Sequence, residues 1–336
     1  MRAKKLSKNK HLKYSDIALV PNYSEVYSRA DCDTSTSLFG EKFRLPVIPA
    51  NMKSVIDMRL SKWMSEHNYF YIMHRFKNSL REVVAQMNEE NWNTISASMG
   101  VQMKDKKDVV AISKKKHRVD FVTIDIAHGH CQRMKIAIEC VKKFLPETKI
   151  IAGNVATPAA VRDLSSWGAD VIKVGIGQGS PCTTKDKTGF TLPMFTCVKE
   201  CSDIYCGDFL NEGSKIPIIA DGGIKYNGDI AKAMVAGADM VMAGGLFAAC
   251  TDSPAAWVQT KPNQERYKAY FGSASAENKG HSNNIEGKLT NISSNGMNYE
   301  QKLNEIKQDL QSSISYAGGA DLSALNSKDV NFVESN

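Results

Sequence analysis

The feature that most constrains this chain is a series of short apolar runs at residues 45–50, 69–73, 94–99, 120–126, 149–154, 170–175, 216–220 and 239–243. Each is rich in apolar residues, several of them in Val and Ile, and none alternates with polar positions. That is the pattern of parallel strands covered on both faces. Helix-like stretches lie between them, at 80–90, 132–144, 158–167 and 229–236. Thr157-Pro158 reads as a helix entry, a capping hydroxyl followed by proline at the first helical position. Gly168 and Gly237 read as helix stops ahead of the next strand. Eight strand–helix units predict an α/β fold, a (β/α)8 TIM barrel, with a doubly wound open sheet as the alternative.

The 336 residues are expected to form a single barrel domain, 1–336. Residues 250–315 break the rhythm. They hold Gly272-Ser273-Ala274-Ser275, the polar segment 277–284, and Glu286-Gly287-Lys288. A long polar insert after the eighth strand is expected to be an active-site lid, followed by a closing helix over 299–311. Residues 320–336 carry little pattern and are expected to be a flexible tail.

No run of about 18 apolar residues is present, so no membrane partner is expected. The N-terminus is basic, with Arg2, Lys4, Lys5, Lys8 and Lys10, but no apolar stretch follows to make a secretory signal. Eight scattered cysteines, Cys32, Cys131, Cys140, Cys182, Cys197, Cys201, Cys206 and Cys250, are then expected as free thiols in a reducing, cytoplasmic setting. Cys197, Cys201 and Cys206 lack zinc-site spacing, and Cys197 and Cys201 share a helix face as small buried hydrophobes. The net charge of +7 comes without a basic recognition helix or nucleic-acid motif. It favours small anionic ligands rather than nucleic acid. Lys114-Lys115-Lys116-His117 reads as a solvated helix end.

A barrel builds its active site at the C-terminal ends of its strands. The polar residues there are Asn51, His74-Arg75, Asp125 with His128, Asn154, the loop 175–184, Asp221-Gly222-Gly223 and Gly244-Gly245. The loop Gly175-Ile176-Gly177-Gln178-Gly179-Ser180-Pro181-Cys182-Thr183-Thr184 is its centre. Glycines let backbone approach a ligand and turn carbonyls towards a cation. A thiolate held there is a candidate nucleophile, with Thr184 placed to pass a proton. The glycines after the seventh and eighth strands suit a phosphate, and Asp221 suits the two hydroxyls of a ribose.

Tyr14-Ser15-Asp16-Ile17-Ala18-Leu19-Val20-Pro21, Ile48-Pro49-Ala50-Asn51-Met52, the loop 175–184, Ile219-Ala220-Asp221-Gly222-Gly223-Ile224 and Met242-Ala243-Gly244-Gly245 together resemble the IMP dehydrogenase/GMP reductase family. The likeness runs in order from Tyr14 to Gly319. Three segments resemble the reductase branch: Ile124-Asp125-Ile126-Ala127-His128-Gly129-His130, Lys187-Thr188-Gly189 and Ile285-Glu286-Gly287-Lys288. Only about 20 residues separate the second and third runs, which leaves no room for the dehydrogenase's regulatory CBS pair. The dehydrogenase's water-activating Arg-Tyr pair after the Gly-Ser segment is also missing, since Arg266-Tyr267 precedes Gly272.

The resemblance implies NADPH-dependent conversion of GMP to IMP with release of ammonia, in purine interconversion. Cys182 would attack C2 of the purine, and Thr184 and Glu286 would deliver the proton that lets ammonia leave. It implies GMP contacts at Asp221, Gly222, Gly223, Gly244, Gly245, Gly272, Ser273, Ala274, Asn283 and Gly287. It implies NADPH contacts at Arg75, Asp125, Ile126, Ala127, Ile176, Gly177 and Ser273, with Ser28, Arg29, Ser313 and Tyr316 reaching a neighbouring subunit's cofactor in a homotetramer. The carbonyls of Gly177, Gly179 and Cys182 would hold a monovalent cation, with K+ expected. Arg75 stands where many members have lysine, Asn283 where many have arginine, and Thr191-Leu192 departs from the usual residues after Thr188-Gly189. An IMP dehydrogenase without CBS modules and a silent nucleotide-binding protein remain as alternative readings.

Overall fold

The computed structural model describes residues 11–204, 215–258, 266–279, 283, 285–326 and 328–335. Cys206, the basic residues 1–10 and part of the polar segment 277–284 lie outside the described residues. Seven parallel strands form one sheet in the order Val47–Pro49, Met240–Ala243, Ile218–Asp221, Val171–Val174, Lys149–Val155, Phe121–Asp125 and Ser96–Met99. Within this sheet the first strand in sequence therefore lies beside the last, as closure of a (β/α)8 barrel requires. The run 69–73 occupies the eighth position but forms no ladder. It joins by a single parallel bridge, Met73 to Ala97, with Met73 N–H donating to Ser96 O and accepting at its own carbonyl from Ser98 N–H. All five residues of this run are buried. Its apolar composition reported burial correctly, but a bridge at one residue is too little pairing to make a strand.

Helices follow these strands in turn: Met58–Glu66, Leu80–Glu89, Met103–Lys115, Gln132–Phe144, Pro158–Ser166, Met194–Ser202, Gly228–Val235 and Tyr299–Tyr316. Thr157 caps its helix by accepting from Ala160 N–H, with Pro158 in the first turn. A recurring device seats the next strand. In Gly168-Ala169-Asp170 and in Gly237-Ala238-Asp239 the glycine has positive φ (+107° and +109°), which ends the helix. The alanine is buried. The aspartate accepts from the backbone N–H of a neighbouring strand, Asp170 from Ile150 and Asp239 from Ile218, both at 2.8 Å. Asp120 does the same for Ile95.

The N-terminal end of the barrel is plugged by aromatic rings. Phe43 lies 5.1 Å from Phe70, and Phe70 meets Phe121 edge-on at 4.9 Å. The C-terminal end stays open for a site, and two long excursions leave there, one between Val171–Val174 and Met194–Ser202 and a longer one between Met240–Ala243 and Tyr299–Tyr316. After Met240–Ala243 the chain forms a three-stranded antiparallel sheet, Trp257–Val258, Tyr267–Phe271 and Leu289–Ser293, before the helix Tyr299–Tyr316. At the tail, Phe332–Glu334 pairs antiparallel with Ile17–Leu19. Among the described residues no helix is long and apolar enough to cross a membrane.

Candidate active site

A cavity of about 340 Å3 opens at the C-terminal rim. Its wall draws on most of the strand ends: Asn51, Arg75, Asp125, Asn154, Gly175 to Gly179, Asp221 and Gly244. Cys182, Thr184, Gly272 to Ala274 and Glu286 complete it.

Glu286 lies 104 residues after Cys182 in the chain, and a short backbone zipper brings the two together. Cys182 and Gly287 form an antiparallel bridge. Thr183 N–H donates to Glu286 O, and Lys288 N–H donates to Pro181 O, each at 2.8 Å. Glu286 N–H in turn donates to Ala274 O at 3.0 Å, which ties the Gly-Ser segment to the same seam. Position 287 must be glycine, because a Cβ there would sit 2.9 Å from Ser275 N. The side chains then line up. The Cys182 thiol donates to Thr184 Oγ1 at 3.2 Å, and the Thr184 hydroxyl donates to Glu286 Oε2 at 2.7 Å. A proton can therefore move from sulfur to carboxylate through one hydroxyl.

A second part of the wall is ionic. Asp125 ends the strand Phe121–Asp125 and Asp221 ends Ile218–Asp221. Lys173, 2% exposed, reaches both, with Nζ 3.0 Å from Asp125 Oδ1 and 2.6 Å from Asp221 Oδ2. Asn51 donates to Asp125 Oδ2, and Asn154 donates to Asp221 Oδ2. Burial works against the charge of Asp125. The Lys173 ammonium, the Arg75 guanidinium and the hydrogen bonds from Lys173 and Asn51 outweigh it and hold its carboxyl below the usual range. Burial likewise opposes the charge on Lys173, and the two carboxylates overcome it and raise its pKa. Tyr270 is kept as a neutral phenol first by burial, then by the nearby Asp221 and Cys182.

The residues picked from the sequence divide into three groups. Cys182, Thr184, Glu286, Asp221, Gly222, Gly244, Gly272, Ser273, Ala274, Arg75, Asp125, Ile126, Ala127, Ile176, Gly177 and Gly179 all line the cavity. Gly223, Gly245 and Gly287 stand behind the wall. Gly223 (φ +80°) packs under Met194 and Tyr14, and Gly245 opens the short helix Gly245–Ala248. The remaining residues lie away from the cavity. Asn283 is exposed. Ser28, Arg29, Ser313 and Tyr316 form an outer patch, where Arg29 donates to Ser312 and Ser28 accepts from Ala30 N–H. Tyr316 is 61% exposed.

Sequence reasoning missed Lys173 and Tyr270. The signal for Lys173 was a lysine inside Val171-Ile172-Lys173-Val174, an otherwise apolar strand that should be buried on both faces. Tyr270 carried no comparable signal, since aromatic residues are ordinary strand formers.

The family model for the IMP dehydrogenase / GMP reductase domain matches residues 11–336. Over 318 residues, 94% of this chain and 94% of the relative, the chain is 44% identical to a GMP reductase of Staphylococcus carnosus (strain TM300). Over the same shares it is 43% identical to GMP reductases of Staphylococcus aureus strains JH9 and N315. With its barrel, its rim cavity and this likeness along nearly its whole length, the chain belongs to the IMP dehydrogenase/GMP reductase family.

Proposed function

We propose that this chain converts GMP to IMP, with the balance GMP + NADPH + 2 H+ → IMP + NADP+ + NH4+. The observation that carries the reading is the Cys182–Thr184–Glu286 line opening into a cavity that also holds Asp221. Glu286 takes the thiol proton through Thr184, and the thiolate adds to C2 of the purine. Glu286, now the acid, returns the proton to the 2-amino group. Ammonia leaves, and a thioimidate to Cys182 remains. An amine is a poor leaving group until protonated, so the acid and the covalent adduct together split one hard step into two. NADPH, when bound, supplies the hydride that replaces the amine at C2. Cys182 then leaves as thiolate, the C–S bond breaks, and IMP departs.

The residues present fit a nicotinamide dinucleotide. Arg75 reaches the cavity with a buried Nε that has no partner among the described residues, beside Asp125, Ile126, Ala127, Ile176 and Gly177. The carbonyls of Gly177, Gly179 and Cys182 would hold the monovalent cation, that of Gly179 while also accepting from Cys182 N–H at 3.0 Å. Gly177 has φ +74° and packs so tightly that a Cβ would press on Thr191 Oγ1 and Lys185 N. The outer patch of Ser28, Arg29, Ser313 and Tyr316 supports trans contacts in a homotetramer. Light scattering tests the assembly, and a monomeric mass would remove the trans contacts.

Against oxidation of IMP stands Arg266, whose guanidinium stacks on Trp257 at 4.0 Å on the outer sheet. It is therefore not positioned to activate water in the cavity. The deciding assay follows NADPH absorbance with GMP, and NAD+ reduction with IMP, on the purified protein. Loss of NADPH with stoichiometric ammonia is expected. NAD+ reduction by IMP without any GMP-dependent NADPH loss would overturn the reading.

A further inference from the structure

Lys173 has no part in the reaction as set out above, yet it sits at the centre of the cavity's polar wall. Its strand neighbours Val171, Ile172 and Val174 are fully buried. The barrel makes room for it. A Cβ at Gly153, on the adjoining strand, would fall 2.7 Å from Lys173 Cβ and 2.6 Å from Lys173 O. Glycine at 153 therefore lets the lysine stem pass at that level. Its ammonium meets two carboxylates from two different strands. Both protein bonds to Asp221, from Lys173 and from Asn154, go to Oδ2. Among the described residues Oδ1 of Asp221 has no protein partner, and Asp221 lines the cavity.

We propose that Lys173 is a positioning residue: it clamps Asp221 by one oxygen, so that the other oxygen meets the ribose diol of the substrate as a preformed acceptor, while the same ammonium holds Asp125 at the end of a second strand. This rests on the reading of the cavity as a GMP site. An immobile carboxylate oxygen accepts hydroxyl hydrogen bonds at little cost in ordering, whereas a swinging one does not. One ammonium shared by two carboxylates also ties two strand ends to one charge.

The other charged and titratable groups facing this cluster are Arg75, which stabilises the charge on Asp125, and Tyr270 and Tyr14, both buried, neutral and near Asp221. Cys182 and Glu286 line the same cavity. None of these replaces Lys173 as a cation beside Asp221. Lys173→Met leaves the two carboxylates without their shared cation, which favours uptake of a proton by the pair.

Two measurements test this on the full-length protein. The first is a titration of 13C-labelled aspartate carboxyls, which needs no ligand. In the wild type Asp125 titrates below the ordinary carboxylate range, held there against burial by Lys173 and Arg75. In Lys173→Met it titrates at clearly higher pH. The second is GMP affinity by calorimetry across pH. Lys173→Met should bind GMP at least about tenfold more weakly than the wild type, and the gap should narrow as pH rises. Asp125→Asn/Lys173→Met restores the cluster's net charge and guards against a folding defect. It should still bind GMP weakly, because Asp221 has lost its anchor, whereas Lys173→Arg should recover part of the affinity. Wild-type GMP affinity in the double variant, or unchanged carboxyl titration in Lys173→Met, would overturn the clamp. If the wild type itself fails to bind GMP, the functional reading falls, and the titration alone decides the clamp.

Discussion

At the residue scale, the site works through short polar contacts held by backbone. Cys182→Ala should abolish turnover while GMP binding stays largely intact, measured by NADPH oxidation and calorimetry. Residual turnover near the wild-type rate would remove the covalent step. Thr184→Val keeps the volume and cuts both bonds of the relay, so kcat should fall about 10^2- to 10^4-fold with little change in KM for GMP. Glu286→Gln should retain GMP binding and stall release of ammonia. A pure binding defect would mean the glutamate is misassigned. His74 offers a pH test. Burial first, then Lys53, lowers its pKa from 6.5 to about 4, so the folded protein holds it neutral. Above pH 6.5 it is neutral whether folded or not. As pH falls from 6.5 to about 4 the unfolded chain gains a proton that the folded chain refuses. That should cost on the order of 3 kcal/mol, and His74→Gln should flatten this part of the stability profile in chemical denaturation. Cys182 was legible because it follows a glycine-rich loop, and Glu286 because Ile285-Glu286-Gly287-Lys288 resembles the reductase branch. Lys173 was passed over because a single charge in an apolar run acquires its meaning only from the carboxylates that two distant strands bring to it.

At the scale of elements, glycines do two different jobs that look alike in the sequence. Gly237 ends a helix with φ +109°, and a Cβ there would fall 2.2 Å from Ser202 Oγ. Gly237→Ala should lose about 1–3 kcal/mol of stability with kinetics per folded molecule unchanged. Gly244 follows the last barrel strand, and a Cβ there would fall 2.1 Å from the Tyr270 hydroxyl, inside the cavity. Gly244→Ala should raise KM for GMP by displacing Tyr270 while shifting the melting temperature little. Calorimetric melting beside steady-state kinetics separates the two, and a matching response in both variants would show that the distinction is wrong. Four helices were legible to within a residue at each end because helix signals are local chemistry: the predicted 132–144 is the observed Gln132–Phe144, and Thr157-Pro158 opens its helix as read, whereas the closing helix expected over 299–311 runs on to Tyr316. Pairing is not local. The run 69–73 has the composition of a buried strand, and only its neighbours decide that Met73 alone makes a bridge.

At the scale of the molecule, the two ends of the described chain close on each other beneath the substrate wall. Phe332–Glu334 pairs with Ile17–Leu19, Val20 N–H donates to Asn331 O, and Ser335 N–H donates to Asp16 O. Phe332 meets Phe195 edge-on at 4.8 Å, and Phe195 belongs to the helix that follows the cysteine loop. The N-terminal side of the same clasp carries Tyr14. Its ring lies 3.4 Å from where a Cβ on Gly223 would be, and its carbonyl accepts from Lys232 on the helix after that loop. Three-residue strands carry no period that a sequence could display, and their partners lie some 300 positions apart, so this closure emerges only with the fold. Removing residues 331–336 strips the pairing and bares Phe195, a loss of about 1–3 kcal/mol. In a chain of this size the melting temperature should drop by several degrees. Because the clasp supports Tyr14 and Tyr14 supports Gly223, the truncated protein should also bind GMP more weakly while its rate at saturating GMP is kept. A truncated chain that melts lower yet binds GMP as tightly as the full chain would show that the clasp stabilises the barrel without supporting the nucleotide loop.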